Sequence, residues 1–173
     1  RVEEMSYTDN LTGLANRRYF FRRLEEEVSR ARRYNRQVAL IIFDLDGLKQ
    51  TNDTYGHLAG DAVLKQMGAI LRRSIRTIDV VARYGGDEFC VIMPEADEAT
   101  CSIFMHRLQS EISRSHFRVE GVENALSTTV SLGGAIFPDH GEDPRQLVFA
   151  ADMALLRAKE TGRNRSLIYS ADI

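Results

Sequence analysis

The feature that most restricts the fold of this chain is an unbroken apolar run at residues 38–43, with the sequence VALIIF. A run that is apolar at every position and rich in β-branched residues is typical of a strand covered on both faces. The run ends abruptly in Asp44, Leu45 and Asp46. The pattern therefore predicts a buried strand that carries carboxylates at its end, within a sheet on which helices pack.

Apolar periodicity and turn residues predict the other elements. Apolar residues three or four apart predict helices at about 17–34, 57–75, 97–115 and 143–161. Strands are predicted at 80–84, 87–93, 128–137 and 167–169. Gly85 and Gly86 separate the first two of these strands, which indicates a hairpin because tight hairpin turns need positive φ. The order α-β-α-β-β-α-β-α-β predicts an α/β (α+β) fold with a mixed central sheet flanked by helices.

Composition limits the classes of partner. The chain has 173 residues, the size of one domain, and its hydrophobic fraction of 43% is that of an ordinary globular protein. Its net charge is −2, so no overall basic field is available for polymeric nucleic acid. A small anionic ligand stays compatible with this balance, because a local site needs only a few cations.

Cellular location is predicted from cysteine use and from the apolar runs. Cys90 and Cys101 lie in apolar surroundings, as buried free thiols in a reducing cytosol would. No apolar run approaches the length of a membrane span, and no signal peptide is visible. We expect a cytoplasmic domain. It opens with Arg1 rather than Met, so we expect it to be part of a longer protein, and a membrane-anchored one is compatible with these features.

Two aspartates lie at the ends of apolar strands, where a carboxylate contributes nothing to core packing. Asp44 ends the first strand, and Asp87 begins the second arm of the Gly-Gly hairpin. If these strands are neighbours, the two carboxylates meet at one sheet edge, where they repel each other and need a cation. Such hard oxygen ligands suit Mg²⁺ or Mn²⁺ bound together with phosphates. Spacing alone leaves open that each residue only caps a strand or a turn.

Residues 83–89, Arg-Tyr-Gly-Gly-Asp-Glu-Phe, closely resemble the signature of the GGDEF family of diguanylate cyclases. Further matching segments follow the family's order and spacing at residues 9–18 (DNLTGLANRR), 43–49 (FDLDGLK), 52–61 (NDTYGHLAGD) and 158–164 (AKETGRN). The resemblance implies a ferredoxin-like βαββαβ core with extra elements, similar to nucleotide cyclases and the polymerase palm. It implies a catalytic domain at residues 9–173, with residues 1–8 as the end of an upstream linker or signalling helix.

The same resemblance implies an enzyme that condenses two GTP molecules into cyclic di-GMP and releases two pyrophosphates. It assigns two Mg²⁺ or Mn²⁺ ions to Asp44, Asp87 and the backbone carbonyl of Leu45. Glu88 is a candidate for a further metal contact or for deprotonating the attacking hydroxyl, and a solvated strand-end carboxylate is an equal alternative. Lys49 joins Asp87 and Glu88 in the implied catalytic set.

Substrate contacts are also implied by the resemblance. It assigns phosphate binding to Lys159, Arg163 and the backbone amides around Gly47 and Leu48. The family commonly has an aromatic residue in this Gly47–Leu48 loop. Lys159 has a simpler alternative, since a cation near a helix C-terminus complements the helix dipole. Gly85 and Gly86 leave room for a nucleotide close to the hairpin, besides meeting the needs of the turn.

Asn52 and Asp61 match the guanine-reading pair of the family. The chemistry agrees, because a carboxylate accepts hydrogen bonds from both N1–H and the N2 amine of guanine. Adenine presents an acceptor where guanine presents N1–H, so Asp61 disfavours ATP. The alternative for Asp61 is a favourable charge in the first turn of a helix.

Regulation and assembly are further implications. Arg76 and Asp79 resemble the family's R-x-x-D product-inhibition site, and Arg107 matches a position that completes it from a neighbouring subunit; a surface ion pair and a solvated arginine are the alternatives. A product with two equivalent bonds implies a C2 homodimer with one GTP per subunit, controlled by an upstream sensory domain. The rival functions are an inactive cyclic di-GMP sensor and an enzyme with a mixed or linear product.

Overall fold

The computed structural model describes residues 6–173. Its helices are α1 (Arg17–Tyr34), α2 (Leu48–Tyr55), α3 (His57–Ser74), α4 (Glu98–Arg114) and α5 (Pro144–Glu160). Its strands are β1 (Val38–Asp46), β2 (Val80–Gly85), β3 (Glu88–Pro94), β4 (Thr129–Phe137) and β5 (Ser166–Ile168). The predicted order is confirmed, with one helix, α2, in addition.

The strands form one mixed sheet in the order β2-β3-β1-β4-β5. The central strand β1 pairs antiparallel with both β3 and β4, while β2 and β3 form the predicted hairpin and β5 joins β4 in parallel. The path from β1 through β4 is therefore the predicted ferredoxin-like βαββαβ core, with α1, α2, α5 and β5 as additions. This topology sets the end of β1 beside the hairpin turn.

Both faces of β1 are buried, which explains its apolar run. Leu40 and Ile42 pack into a core with α1 and α5, whereas Ile41 and Phe43 pack into a second core with α3 and α4. Because side chains alternate along a strand, Asp44 and Asp46 share the α1 and α5 face of the sheet with Leu40 and Ile42.

Helix α2 corrects the prediction of a loop at Gly47 and Leu48. Gly47 adopts a left-handed conformation (φ 79°) and turns the chain directly from β1 into α2. Leu48 is the buried residue of this helix, whose sequence LKQTNDTY is otherwise polar. A helix with so few apolar residues gives no periodic signal, so the pattern could not reveal it.

The chain enters the domain through a tight turn. The prediction of a helical end at residues 1–8 lies outside the described residues for 1–5, and Ser6 and Tyr7 are not helical. Asp9 then accepts hydrogen bonds from the backbone nitrogen and the hydroxyl of Thr12, at 2.9 and 2.7 Å. Within residues 6–173, no helix is long and apolar enough to cross a bilayer.

Candidate active site

The end of β1 and the β2–β3 hairpin meet at one edge of the sheet. Asp44 in β1 is the register partner of Glu88 in β3. The backbone nitrogen of Leu45 lies 3.4 Å from the carbonyl oxygen of Asp87, which stands in the hairpin turn. The pairing of β1 with β3 thus brings the acidic positions of two distant sequence segments together.

Asp44 is a buried carboxylate with one oxygen unused. Its Oδ2 contacts the ammonium group of Lys159, while its Oδ1 is buried and has no hydrogen-bond partner among residues 6–173. Burial raises the pKa of Asp44, Lys159 opposes this rise, and the charges of Asp87 and Asp46 add to it. Buried polar atoms normally have a partner, so the free oxygen can accept one more, such as a water or a cation.

The donor set fits a hard divalent ion only when a substrate shares it. Within the described part of the chain, no three His, Cys, Asp or Glu side chains are grouped around a common metal position. Mg²⁺ is commonly bound by one or two carboxylates and completes its shell with waters and substrate phosphates. Asp44, Asp87 and a nearby backbone carbonyl are sufficient protein ligands for that mode.

Glu88 lies on the same sheet face as Asp44, since Cys90 and Ile92, at alternate positions of β3, pack against α1 and α5. Burial raises the pKa of Glu88, and the charges of Asp152 and Asp44 raise it further. A carboxylate with a raised pKa is a stronger proton acceptor at neutral pH. Sequence analysis missed Asp152; its position seven residues before Lys159, on the same face of α5, was the available signal.

Two cations from the end of α5 reach this edge. Lys159 contacts Asp44, and Nη1 of Arg163 lies 3.7 Å from Oδ1 of Asp46. Both predicted phosphate-binding side chains therefore stand beside the acidic end of β1. Lys159 is occupied by Asp44, so it reaches a phosphate only by exchanging or sharing that partner.

Asp46 was given no role from sequence, yet its carboxylate is fully engaged. It accepts hydrogen bonds from the hydroxyls of Thr129 (2.6 Å) and Ser131 (2.7 Å) and from the backbone nitrogen of Asn164 (3.0 Å). Asp44, two residues earlier on the same face, differs from Asp46 in its hydrogen bonding: Asp44 has one oxygen without a partner, whereas both oxygens of Asp46 accept hydrogen bonds.

The N-terminus of α2 follows directly after β1. No side chain caps this helix, so its first backbone N–H groups are available to an anion. Leu48 is buried, whereas Gly47 and Lys49 are exposed. The predicted phosphate-binding amides thus lie at the N-cap and at the first residue of a helix rather than in a loop.

Asn52 lies in α2 against the start of α3. A Cβ built on Gly60 would lie 1.8 Å from Oδ1 of Asn52, so only glycine permits this packing. That oxygen is buried and has no partner among the described residues. Asp61, the next residue of α3, is exposed and lines a groove of about 590 Å³ together with Leu11 and Tyr55.

The hairpin turn is open on its outer side. A Cβ on Gly85 or Gly86 would meet nothing within 4 Å, and Gly86 has a φ of 42°. The guanidinium of Arg83 donates to the carbonyl oxygen of Gly86 at 2.8 and 3.0 Å, which fixes the turn from within. The glycines therefore leave free space beside the acidic edge.

The family model "Diguanylate cyclase, GGDEF domain" matches residues 6–165 of the chain. The chain belongs to the GGDEF domain family. It is 38% identical over 161 residues to the response regulator PleD of Caulobacter vibrioides and 40% identical over 163 residues to the diguanylate cyclase DgcP of Pseudomonas aeruginosa. These matches cover 93% and 94% of the chain, but only 36% and 24% of the two relatives.

Solved structures agree with the family assignment. The isolated GGDEF domain of TpbB (YfiN) from P. aeruginosa superposes with a TM-score of 0.91 at 33% identity, covering 95% of both chains. The GGDEF domain of DgcB from Caulobacter crescentus, solved in complex with c-di-GMP, gives 0.90 at 31% identity, covering 97% of this chain and 98% of that one. The predicted fold and family resemblance are confirmed.

A second group of predicted residues in this GGDEF domain lies at the far end of β2 from the hairpin. Arg76 binds Asp79 through its side chain (Nη2–Oδ1, 2.9 Å) and its backbone nitrogen (2.9 Å). Asp79 is buried, while Arg76 keeps nearly half of its side chain exposed. Arg107 donates to the carbonyl oxygen of Ser74 at 2.8 Å, so the same chain brings it near Arg76.

Proposed function

We propose that this GGDEF domain is a diguanylate cyclase that condenses two GTP molecules into cyclic di-GMP and releases two pyrophosphates. The observation that carries the proposal is the free, buried oxygen of Asp44 beside the hairpin that holds Asp87. Family membership gives the reaction class. The unused oxygen supports a cation-dependent site over a purely structural acidic cluster.

The domain's own residues suit phosphoryl transfer. Two Mg²⁺ or Mn²⁺ ions on Asp44, Asp87 and the Leu45 carbonyl would neutralise phosphate charge and lower the pKa of the attacking hydroxyl. Glu88 takes the proton of the 3′-hydroxyl of one GTP while that hydroxyl oxygen forms a bond to the α-phosphorus of the second GTP. The bond from that phosphorus to the bridging oxygen breaks, and pyrophosphate leaves with the electron pair.

Other residues hold the nucleotide in place. Lys159, Arg163, the first amides of α2 at Gly47 and Leu48, and Lys49 bind the triphosphate in this proposal. Gly85 and Gly86 let it lie close to the hairpin. Asn52 and Asp61 read the guanine in this proposal: Asp61 accepts from N1–H and the N2 amine, and Asn52 is the second polar side chain of the pair.

Assembly and regulation follow from the product. Two symmetric phosphodiester bonds require two sites to face each other in a C2 homodimer, each subunit bringing one GTP. We further propose that cyclic di-GMP inhibits by binding Arg76, Asp79 and Arg107, with an upstream sensory domain controlling the dimer. Nε and Nη2 of Arg76 already donate to Asp79 and to the carbonyl oxygen of Pro94, which leaves the two N–H groups of Nη1 for a guanine acceptor.

Product analysis tests this function directly. Incubation with GTP and Mg²⁺ should give cyclic di-GMP by mass spectrometry, and pyrophosphate at one equivalent per GTP consumed. Substitution of Asp87 by alanine should stop both without lowering the unfolding temperature. A folded wild-type domain that binds cyclic di-GMP but releases no pyrophosphate would support the inactive sensor instead.

A further inference from the structure

The turn after α5 has an unfavourable backbone that something must hold. Arg163 and Asn164 have φ values of 60° and 47°, in the left-handed region that side chains disfavour. This conformation costs an arginine roughly 1 kcal/mol or more and an asparagine less, so the pair is held in place by neighbouring contacts. This turn also presents Arg163, the predicted phosphate ligand.

Two side chains from distant parts of the sequence hold the turn. Oδ2 of Asp46 accepts the backbone N–H of Asn164 at 3.0 Å, and the hydroxyl of Thr129 holds the same oxygen at 2.6 Å. On the other side, Nε2 of Gln109 donates to the carbonyl oxygen of Asn164 at 2.8 Å. The peptide groups of Asn164 are thus bound from β1 and from α4. We call these contacts of Asp46 and Gln109 with Asn164 the clamp.

We propose that Asp46 is a positioning residue, which holds the 162–164 turn so that Arg163 meets the triphosphate of bound GTP. The inference rests on the proposed function, because Arg163 has no other assigned ligand. Both oxygens of Asp46 accept hydrogen bonds in this structure, so the proposal assigns Asp46 no metal contact. Its carboxylate acts chiefly through the backbone that it fixes, because its contact with the Arg163 side chain is an ion pair at 3.7 Å without a hydrogen bond.

The two obvious variants separate hydrogen bonding from charge. Asp46→Ala removes every contact that Asp46 makes to the turn and leaves the Gln109 hydrogen bond in place. In Asp46→Asn the amide oxygen can still accept from Asn164 and Thr129, while the amide nitrogen donates to the Ser131 hydroxyl oxygen. The proposal therefore predicts a strong effect of alanine and rescue by asparagine.

The first measurement is amide hydrogen exchange of the 162–164 turn in the nucleotide-free domain. Exchange at Asn164 should speed up in Asp46→Ala and stay near the wild-type rate in Asp46→Asn. Unchanged exchange in a folded Asp46→Ala domain would overturn the clamp. This readout requires no turnover, so it is independent of the proposed reaction.

The second measurement is binding of an α,β-methylene GTP analogue with Mg²⁺. Asp46→Ala should weaken it by about tenfold, a change of ~1.4 kcal/mol. In an Arg163→Ala background the same substitution should have less than about a threefold effect, because contacting residues are not additive. If Asp46→Ala weakened analogue binding by the same factor in both backgrounds, Asp46 would not act through Arg163 and the proposal would be overturned.

Gln109 gives a test that avoids the buried site. Gln109→Ala should also weaken analogue binding, and Gln66→Ala is its matched control, because Gln66 makes the same kind of bond to the carbonyl of Arg118 at 2.7 Å. Equal effects of the two glutamines would count against the clamp. A wild-type domain that binds the analogue yet forms no cyclic di-GMP would refute the proposed reaction and leave the clamp standing.

Discussion

At the residue scale, Asp44 and Asp46 show how one strand can carry two carboxylates with different chemistry. The partners of Asp46 come from β4 and the 162–164 turn, whereas among residues 6–173 the carboxylate of Asp44 pairs with Lys159 alone and keeps a free oxygen. The difference lies in what packs over each position. It therefore assigns the cation to Asp44 in the proposed mechanism.

Removal of Asp44 should abolish the response to divalent ions. With the GTP analogue present, Mg²⁺ should raise the unfolding temperature of the wild-type domain, since a ligand that binds only the native state stabilises it. Asp44→Ala should lose this increase, as measured by thermal unfolding with and without EDTA. Asp139→Ala, at an exposed aspartate, is the matched control and should keep the Mg²⁺-dependent increase in unfolding temperature. The same increase in Asp44→Ala would contradict the metal role of Asp44.

Gly60 is the second residue whose identity the site depends on. Gly60→Ala forces Asn52 away, because the new Cβ would overlap its Oδ1. We expect the KM for GTP to rise by about tenfold, within the 1–3 kcal/mol cost of a lost polar contact. Steady-state kinetics should show a much smaller effect of Gly60→Ala in an Asn52→Ala background. An equal effect in both backgrounds would mean that Gly60 acts on the fold rather than through Asn52.

At the element scale, Asp9 connects the entry turn to the β2–β3 hairpin. Arg83 lies 3.3 Å from Asp9 and also donates to Gly86, so one guanidinium joins both turns. Burial acts to raise the pKa of Asp9, but the Thr12 hydrogen bonds and the charge of Arg83 outweigh it and hold that pKa below its ordinary value. A lowered carboxyl pKa stabilises the fold above the unfolded-state pKa and stops doing so as pH falls through the native one.

The consequence is a pH-dependent cost of Asp9→Asn. At pH 7 the Asp9→Asn substitution should lower the free energy of unfolding by about 1.5–3 kcal/mol, as for hydrogen bonds to a charged group. The difference from wild type should shrink as pH falls below about 4, the ordinary aspartate pKa. Urea unfolding at neutral and acidic pH measures both values. A difference that does not change with pH would mean that the carboxylate charge is unimportant.

The elements also show why sequence predicted some features and missed others. Helix α1 has an apolar stripe, and its predicted bounds 17–34 agree with the structure. Helix α2 has a single buried residue and was missed. The free oxygens of Asp44 and Asn52 and the engaged oxygens of Asp46 depend on partners far along the chain, such as Asn164. Local patterns carry no information on such packing.

At the scale of the whole molecule, the product's symmetry sets the requirement on assembly. Each GTP in cyclic di-GMP supplies a 3′-hydroxyl and an α-phosphorus, and the acidic edge at Asp44 and Asp87 is a single site in each chain. In the proposed reaction, neither bond closes unless a second copy faces the first. The initial rate per molecule of protein should therefore rise with protein concentration until the dimer saturates. A constant specific activity over a range in which light scattering shows only monomer would contradict this.

Mixing wild-type protein with Asp87→Ala tests the same requirement at the level of each bond. A mixed dimer holds one intact and one damaged site, so it should form the first phosphodiester bond but not the second. With excess variant, cyclic di-GMP should fall more steeply than the fraction of wild-type chains, and a linear dinucleotide that retains its triphosphate should accumulate, as measured by mass spectrometry. If one intact site made both bonds in turn, cyclic di-GMP would fall only in proportion to the number of intact sites, and no linear dinucleotide would accumulate. The two outcomes therefore decide whether each subunit catalyses its own bond.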